Sequence, residues 1–217
     1  DPLFAQVGME HTNWTENTAS LDPGTQIDLG AIAKGYASDR MAAIYQEHGI
    51  THGIVDLGGN TWVCGGNLEG EPWQIGIQDP ARSAGALAGI LEASDAFAVT
   101  SGGYQRFFTG PDGTVYQHII APATGYPVQS DLLSVSIVTR RDNGGTGTMA
   151  DAYSTALYVM GETAAVDFWR QQGLDSVTVS FELRHQQVRE LRKYLPCEGI
   201  VYGRLPLMIT ENCMTGN

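Results

Sequence analysis

Residues 27–36 read IDLGAIAKGY, and this stretch is the first of four short blocks on which we base the predicted fold and function. The other blocks, in chain order, are DLGGN at 56–60, HIIAPATG at 118–125 and ADAYSTA at 150–156. Each block combines carboxylate, hydroxyl, imidazole or ammonium groups with glycine and other small residues. Small residues let the backbone approach a ligand closely, and oxygen groups suit hard cations. The four blocks together therefore predict a site for a phosphate-bearing ligand and a hard metal ion.

The composition around these blocks is that of a globular protein. The chain has 217 residues, of which 42% are hydrophobic and 17% charged, so we expect a real core rather than disorder. The formal net charge of −12 argues against nucleic acid as a partner, because few cations are present to neutralise phosphates. The three cysteines form no disulfide or zinc pattern, and no apolar run is long enough to span a membrane.

Working outward from the first block, hydrophobic periodicity predicts a helix over 32–45 that stops near Gly49. Two further helices are predicted over 149–160 and 163–172, whereas 1–26 is expected to consist of turns. The predicted strands, which are short and rich in β-branched or aromatic residues, are two within 53–63 joined by a turn, 73–77, 88–91, 97–100, a hairpin of 104–108 and 115–120, and 132–139. These elements predict an α+β fold with a mixed, largely antiparallel sheet packed with helices.

The character of the sequence changes after Gly173. The remaining residues predict a strand over 177–181, a charged helix over 184–194 and a strand over 200–202. Five lysine and arginine residues lie between Arg184 and Arg204. We therefore predict two units, 1–173 and 174–217, the second a short β-α-β tail.

In the first block, Asp28, Ala31 and Lys34 are spaced by three at a predicted strand-to-helix junction near Gly30. The start of a helix offers N–H groups and a positive dipole end, which suit a phosphate. Lys34 could add a charge to a diphosphate, and Asp28 could accept hydrogen bonds from a ribose or a base. In the ordinary alternative, Asp28 caps the helix and Lys34 extends into solvent. For this block taken alone, that alternative is favoured.

In the fourth block, Asp151 and Thr155 are four residues apart on a predicted helix and so share a face. A carboxylate and a hydroxyl, joined by a backbone carbonyl, are hard ligands suited to Mg²⁺. The alternative is a surface aspartate beside a threonine that lines the core.

In the third block, His118 is predicted to lie at the end of a strand, where a histidine beside a ligand can act as a general base. A hydrogen-bonded structural histidine is the alternative.

Two glycine-rich stretches remain ambiguous on spacing alone. Residues 100–103, TSGG, could form a nucleophile turn or a phosphate loop, but they lack a GxSxG pattern and are predicted to be a structural turn. Residues 56–60 could pack under a flat ligand or could form only a tight hairpin.

Several of these stretches resemble one known family. The matching stretches are IDLGAIAKGYASD at 27–39, VDLGGN at 55–60, VTSGGYQRFF at 99–108, YQHIIAPATGYP at 116–127 and ADAYSTAL at 150–157. In this order they resemble the FAD:protein FMN transferase (ApbE) family, from about residue 5 to Gly173. One departure is Ala121, which stands where an aspartate is usual in the family.

The resemblance implies Mg²⁺-dependent transfer of FMN from FAD to a threonine or serine hydroxyl of an acceptor flavoprotein, with release of AMP. It implies that His118 is the catalytic base, that the flavin-binding residues are Asp28, Lys34, His118 and Ile119, and that the metal ligands are the Ala31 carbonyl, Asp151 and Thr155.

The resemblance also implies an extracytoplasmic, periplasmic protein whose parent is membrane-anchored. Family members carry about one hundred further N-terminal residues, the size of a domain. Because these are not in the chain, a module that binds or hydrolyses FAD without transferring FMN is the alternative function.

The tail resembles a different family. Residues 177–213 look like part of the collagenase-like peptidase family, whose relatives include proteins of tRNA hydroxylation. In that family the cysteine matching Cys213 can belong to an iron–sulfur site. The other cysteines that such a site needs are absent from the sequence, which counts against a peptidase-like or RNA-modifying function.

Overall fold

The computed structural model describes residues 5–172 together with 178–179, 199–201 and 207–209. The predicted helix over 184–194, Cys197 and Cys213 lie outside the described residues. The helices are α1 (Ala33–Glu47), α2 (Gly147–Met160) and α3 (Glu162–Gln172), with short 3-10 helices at Met9–His11 and Arg141–Asn143. The strands are β1 (Thr12–Trp14), β2 (Ala19–Leu21), β3 (Gly53–Asp56), β4 (Asn60–Cys64), β5 (Trp73–Gln78), β6 (Leu87–Ala93), β7 (Ala96–Gly102), β8 (Phe107–Thr109), β9 (Val115–Gln117), β10 (Ser134–Arg140), β11 (Thr178–Val179), β12 (Gly199–Val201) and β13 (Leu207–Ile209).

The central element is a five-stranded sheet in the order β11-β10-β7-β4-β3, in which every neighbouring pair is antiparallel. Within the described residues, four two-stranded antiparallel sheets accompany it: β1-β2, β5-β6, β8-β9 and β12-β13. The predicted α+β class with a largely antiparallel sheet is therefore confirmed. Alternating apolar residues and an Asp-Gly turn predict most of these strands without reference to any family.

Alternation along the strands places a core on each face of the sheet. On one face, Trp62, Phe97 and Val99 pack with residues of α1 and α2 in the larger cluster. On the other face, Val63 and Ala98 pack with residues of the β5-β6 hairpin. Adjacent residues of β4 and β7 thus point to opposite cores, and α1 and α2 are fixed to one face of the sheet.

Helices α1 and α2 cap each other. The N–H of Gly35 donates to Asp151 Oδ2 at 2.8 Å, and the N–H of Gly147 donates to Asp39 Oδ1 at 2.7 Å. Asp39 also accepts from the N–H of Thr148 at 2.9 Å. In each helix the capping aspartate lies one turn after the glycine. Each helix therefore supplies a carboxylate that accepts from the glycine N–H of the other helix. We call this arrangement the reciprocal cap.

The two glycines of the reciprocal cap allow the helix backbones to touch. A Cβ on Gly35 would overlap the carbonyl oxygen of Gly147, and a Cβ on Gly147 would lie 2.8 Å from the carbonyl oxygen of Gly35. Since Gly35 lies beside Gly147 and Asp151, whereas Asp39 lies beside Gly147 and Thr148, the helices run antiparallel.

Some elements differ from their predicted limits. Residues 12–21 form a short, largely exposed hairpin, β1-β2, where only turns were expected. The hairpin predicted over 104–120 is confined to β8 and β9. The stretch 100–103 is not simply a turn, because β7 continues through Gly102.

The two-unit division at residue 173 stays a prediction. Beyond that point, β11 adds to the edge of the central sheet by pairing Val179 with Val135 of β10. Strands β11 and β12 overlap the strands predicted over 177–181 and 200–202. Among the described helices, none has the length and apolar character needed to cross a membrane.

Candidate functional site

The segment that leads into α1 differs from the predicted strand-to-helix junction. Residues 25–29 are neither helix nor strand, whereas α1 begins at Ala33, one residue after the start of the predicted helix over 32–45. Asp28 does not cap the helix: its Oδ1 accepts from the N–H of Gly30 at 2.6 Å, and the residue that precedes α1, Ile32, makes no side-chain cap. The carboxylate of Asp28 is exposed and close to the start of α1.

A tertiary contact replaces one backbone hydrogen bond in the first turn of α1. In a regular helix, the N–H of Gly35 would donate to the carbonyl of Ala31, four residues earlier. Here Asp151 takes that N–H, although the bonds from Ala33 to Leu29 and from Tyr36 to Ile32 on either side of it are helical. Among the described residues, no hydrogen bond reaches the Ala31 carbonyl, which leaves its oxygen available to a ligand.

Lys34 is not simply solvated, in contrast to the ordinary alternative. Its Nζ donates to the carbonyl of Gly58 at 3.0 Å, in the turn between β3 and β4. Gly58 and Gly59 in this turn have φ values of +69° and +82°, which glycine adopts without strain. The carbonyl of Gly59 accepts from the N–H of Thr100 at 2.7 Å. Residues 56–60 thus form a tight turn between β3 and β4 that anchors Lys34, and packing under a flat ligand stays a prediction.

Asp151 is buried, with 2% of its surface exposed, so the alternative of a surface aspartate is wrong. Burial raises the pKa of its carboxyl above the ordinary value, because a buried charge is costly. The N–H of Gly35 and the charge of Lys34 act in the opposite direction and lower that pKa. The result is a buried carboxylate that faces the first turn of α1 and lies near an ammonium group.

Thr155 lies one turn after Asp151 on α2 and is half-buried. Its Oγ1 lies 2.9 Å from the Oγ of Ser101 at the end of β7. The same Ser101 Oγ lies 2.9 Å from the Oγ of Ser154. Sequence reasoning missed Ser101 and Ser154, although each lies inside a quoted stretch. No spacing in the sequence indicates that a hydroxyl on a strand will contact a hydroxyl on a helix more than 50 residues away.

Asp151, one of the three predicted metal ligands, contacts Gly35 in the first turn of α1. Thr155 lies one turn after Asp151 on α2, and Ala31 lies four residues before Gly35, just ahead of α1. The described residues contain no group of three or more histidine, cysteine, aspartate or glutamate side chains that could hold a metal. A cation here would instead be held by one carboxylate, one hydroxyl and one carbonyl.

His118 lies just after β9 and is exposed. Its backbone N–H donates to the carbonyl of Arg106 at 3.2 Å, and its ring Nδ1 lies 3.3 Å from the same oxygen. The preceding residue, Gln117, donates to the hydroxyl of Tyr158 on α2 at 3.0 Å. Among the described residues, no hydrogen bond joins His118 itself to α1 or α2. Its neighbour Gln117 is the residue that is hydrogen-bonded to α2.

Ile119, the predicted flavin contact, is 9% exposed and belongs to the larger core cluster. Its carbonyl accepts from Val128 at 2.9 Å. Ala121 stands where an aspartate is usual in the family. Its carbonyl accepts from the N–H of Gly125 at 2.8 Å, and its N–H donates to the carbonyl of Tyr126 at 2.9 Å. The turn is therefore closed by backbone hydrogen bonds without an aspartate.

Fold and site together define a class: an α+β protein in which two antiparallel helices on one face of a sheet hold a buried carboxylate near a lysine. The chain belongs to the ApbE family, whose model matches residues 1–178. The resemblance of 177–213 to the collagenase-like peptidase family stays a prediction.

Relatives and solved structures agree with this assignment. The FAD:protein FMN transferase of Treponema pallidum is 38% identical over 182 residues, covering 80% of this chain and 47% of the relative. The protein of that name from Escherichia coli is 33% identical over 179 residues, covering 80% and 49%. The flavin transferase ApbE from Vibrio cholerae superposes with a TM-score of 0.67 at 34% identity, covering 78% of this chain and 52% of that one. The chain thus spans about half the length of the curated relatives it matches.

Proposed function

We propose that the protein transfers FMN from FAD to a threonine or serine hydroxyl of an acceptor flavoprotein, in a Mg²⁺-dependent reaction that releases AMP. The observation that carries the proposal is the buried Asp151 carboxylate, which accepts the N–H of Gly35 in the first turn of α1 near Lys34, with the open Ala31 carbonyl four residues before Gly35. The names of the relatives, FAD:protein FMN transferase, support the same reaction.

The oxygen groups at the α1–α2 contact fit a magnesium ion. Mg²⁺ prefers oxygen ligands, keeps several waters and is commonly bound through one or two carboxylates plus substrate phosphates. Asp151, the Ala31 carbonyl and Thr155 Oγ1 would hold it. When bound, it would neutralise charge on the diphosphate that is cleaved.

Lys34 and Asp28 would bind the flavin nucleotide. The Lys34 ammonium has three N–H donors, of which one is directed to the Gly58 carbonyl. The other two can bind phosphate oxygens. The exposed Asp28 carboxylate accepts only one N–H in its own turn, so it can also accept from a ribose or base.

A neutral His118 ring can present the nitrogen that a general base needs. The Arg106 carbonyl can only accept, so the 3.3 Å contact suits the tautomer with the proton on Nδ1. In that tautomer the unprotonated nitrogen is Nε2. It takes the proton of the acceptor hydroxyl while that oxygen bonds to the phosphorus of the FMN moiety, and the bond from this phosphorus to the bridging oxygen breaks to release AMP.

The function is tested by incubating the protein with FAD, Mg²⁺ and an acceptor that carries a threonine target. We expect the acceptor to gain the mass of FMN and AMP to appear, whereas an acceptor with valine in place of the threonine gains nothing. Release of FMN and AMP without a mass gain would identify a hydrolase instead. FAD that stays bound and intact would identify a binding module.

The role of His118 gives a prediction that separates catalysis from binding. We expect His118→Ala to slow transfer by about 100-fold or more, the usual contribution of a general base, with little effect on FAD affinity. The matched control is His52→Ala, because His52 is also exposed and its Nδ1 also contacts a backbone carbonyl, that of Gly66 at 2.9 Å. Single-turnover rates and FAD titrations measure the two quantities. A loss of FAD affinity without a slower transfer step would show that His118 is only a ligand contact.

The raised pKa of Asp151 predicts two opposite pH trends. Mg²⁺ competes with a proton for the carboxylate, so Mg²⁺ affinity should fall as pH falls through this pKa, above the ordinary aspartate value of about 3.9. In the metal-free protein, a folded-state pKa above the unfolded one stabilises at low pH, and that contribution is lost as pH rises through the folded pKa. Calorimetric titration and urea unfolding across this range check both trends. An affinity that does not change with pH would remove Asp151 from the ligand set.

We place this reaction outside the cytoplasm, in the periplasm, on the basis of the family resemblance. Fractionation of cells that express the complete protein with a tag tests this location.

A further inference from the structure

Three hydroxyl groups form a continuous chain between the end of β7 and α2. Ser101 Oγ is 2.9 Å from Thr155 Oγ1 and 2.9 Å from Ser154 Oγ, and Ser154 Oγ donates to the carbonyl of Asp151 at 3.0 Å. Ser154 is fully buried, and Ser101 and Thr155 are half-buried. The chain therefore ends on one side at the backbone of Asp151 and on the other at the side chain of Thr155.

Counting protons fixes the direction of every bond in this chain. Each hydroxyl has one proton, and a carbonyl can only accept. The proton of Ser154 is directed to the Asp151 carbonyl, so Ser101 must supply the proton between Ser101 and Ser154. The proton of Ser101 is then used, so Thr155 must supply the proton between Thr155 and Ser101. Three protons fill three hydrogen bonds in only one way.

This direction determines what Thr155 offers to the site. Because Thr155 Oγ1 donates to Ser101, its lone pairs accept no proton within the chain and are available to a cation. In the reversed direction, Ser101 would donate to Thr155 and occupy one of those lone pairs. The direction of hydrogen bonding that leaves the Thr155 lone pairs available to a cation is therefore set by Ser154. Ser154 is connected to Thr155 through the hydroxyl of Ser101.

We propose that Ser101 and Ser154 are positioning residues, which orient the hydroxyl of Thr155 so that its oxygen faces a divalent cation. The proposal rests on the cation site of the proposed function and extends it to two residues that do not belong to the ligand set. Neither serine is a catalytic residue. Each acts through Thr155.

Ser154→Ala is the sharpest variant. Alanine is small and is the best helix former, so the buried helical position accepts it with little rearrangement. It removes the acceptor of the Ser101 proton and allows Ser101 to donate to Thr155 instead. The matched control is Ser136→Ala on β10. It removes a buried hydroxyl that contacts Thr100 Oγ1 at 2.7 Å but does not belong to the series of three hydroxyls formed by Ser101, Ser154 and Thr155.

The experiment measures Mg²⁺ affinity of the metal-free protein by calorimetry for wild type, Ser154→Ala and Ser136→Ala. We expect Ser154→Ala to bind about tenfold more weakly, the lower end of what outer partners of metal ligands contribute, and Ser136→Ala to bind as wild type does. Unchanged affinity in Ser154→Ala, or an equal loss in both variants, would overturn the proposal. A wild-type protein that binds no Mg²⁺ would overturn the cation site itself, which is the separate failure of the proposed function.

A second measurement needs neither a variant nor a cation. In the metal-free wild-type protein, the hydroxyl proton of Thr155 should exchange slowly and show a nuclear Overhauser effect to the β protons of Ser101. A Thr155 hydroxyl proton directed away from Ser101 would overturn the orientation even if Mg²⁺ binds.

Discussion

Asp151→Asn should abolish Mg²⁺-dependent flavin transfer while the protein remains folded. Asparagine keeps an oxygen that can accept the N–H of Gly35, so the cap of α1 survives in part. It removes the one carboxylate of the proposed ligand set. Outer partners of metal ligands already contribute about 10- to 100-fold to affinity, so we expect the loss of a direct carboxylate to exceed about 100-fold in turnover at limiting Mg²⁺. Turnover assayed over a range of Mg²⁺ concentrations measures the effect.

The reciprocal cap supplies the matched control, because Asp39 has the same structural role on the opposite helix. Asp39→Asn alters the cap of α2 at Gly147 and Thr148 but leaves the carboxylate near Lys34 intact. Loss of a cap costs about 0.5–2 kcal/mol, so we expect Asp39→Asn to lower the melting temperature while Mg²⁺ dependence persists. If both variants lose turnover equally, Asp151 acts through folding rather than through a cation.

Gly35→Ala should be among the most destabilising single substitutions in the described part of the chain. The new Cβ would overlap the Gly147 carbonyl and lie 2.7 Å from the Cβ of Asp151. Neither neighbour is the flexible end of a side chain, so the helices would have to separate. Elsewhere in a helix, glycine to alanine gains about 1 kcal/mol. Here overpacking costs about 1–3 kcal/mol or more, a large part of a stability of about 5–15 kcal/mol, so the sign is reversed.

Gly30→Ala is the comparison for this substitution. Its Cβ would meet only the exposed Asp28 carboxylate, 2.8 Å from Oδ1, and that side chain can rotate away. We expect a small change in the urea midpoint for Gly30→Ala and a large decrease for Gly35→Ala. Equal midpoints would mean that the contact between α1 and α2 is not close-packed in solution.

The elements that follow from local patterns could be predicted from the sequence. Alternation through 96–99 sends neighbouring side chains to opposite cores, and the Asp-Gly pair at 112–113 turns between β8 and β9. The hairpin β1-β2 was missed because its strands are three residues long and mostly exposed, so no buried face imposes a pattern on them. The start of α1 was predicted to within one residue, but the bond from its Gly35 N–H to Asp151, 116 residues away, was not, because no local signal reports a cap of that kind.

The candidate site was predictable only where spacing carries it. A spacing of four places Asp151 and Thr155 on one face of a helix, and the family resemblance connected them to Ala31. Spacing could not show that Ser101 contacts Thr155, because the two meet through the packing of β7 against α2. Nor could it show that Lys34 is tied to Gly58, a contact that depends on the conformation of a turn.

The exchange of carboxylates between α1 and α2 makes the two helix starts a single cooperative unit. Each helix takes one acceptor for its first turn from the other, although Thr146 also caps α2 locally through the N–H of Met149. Fraying at one end deprives the other of an acceptor, so we expect the two ends to open together rather than one by one. The placement of the proposed cation ligands therefore depends on the helix pair, and it is set when the pair forms rather than when either helix does.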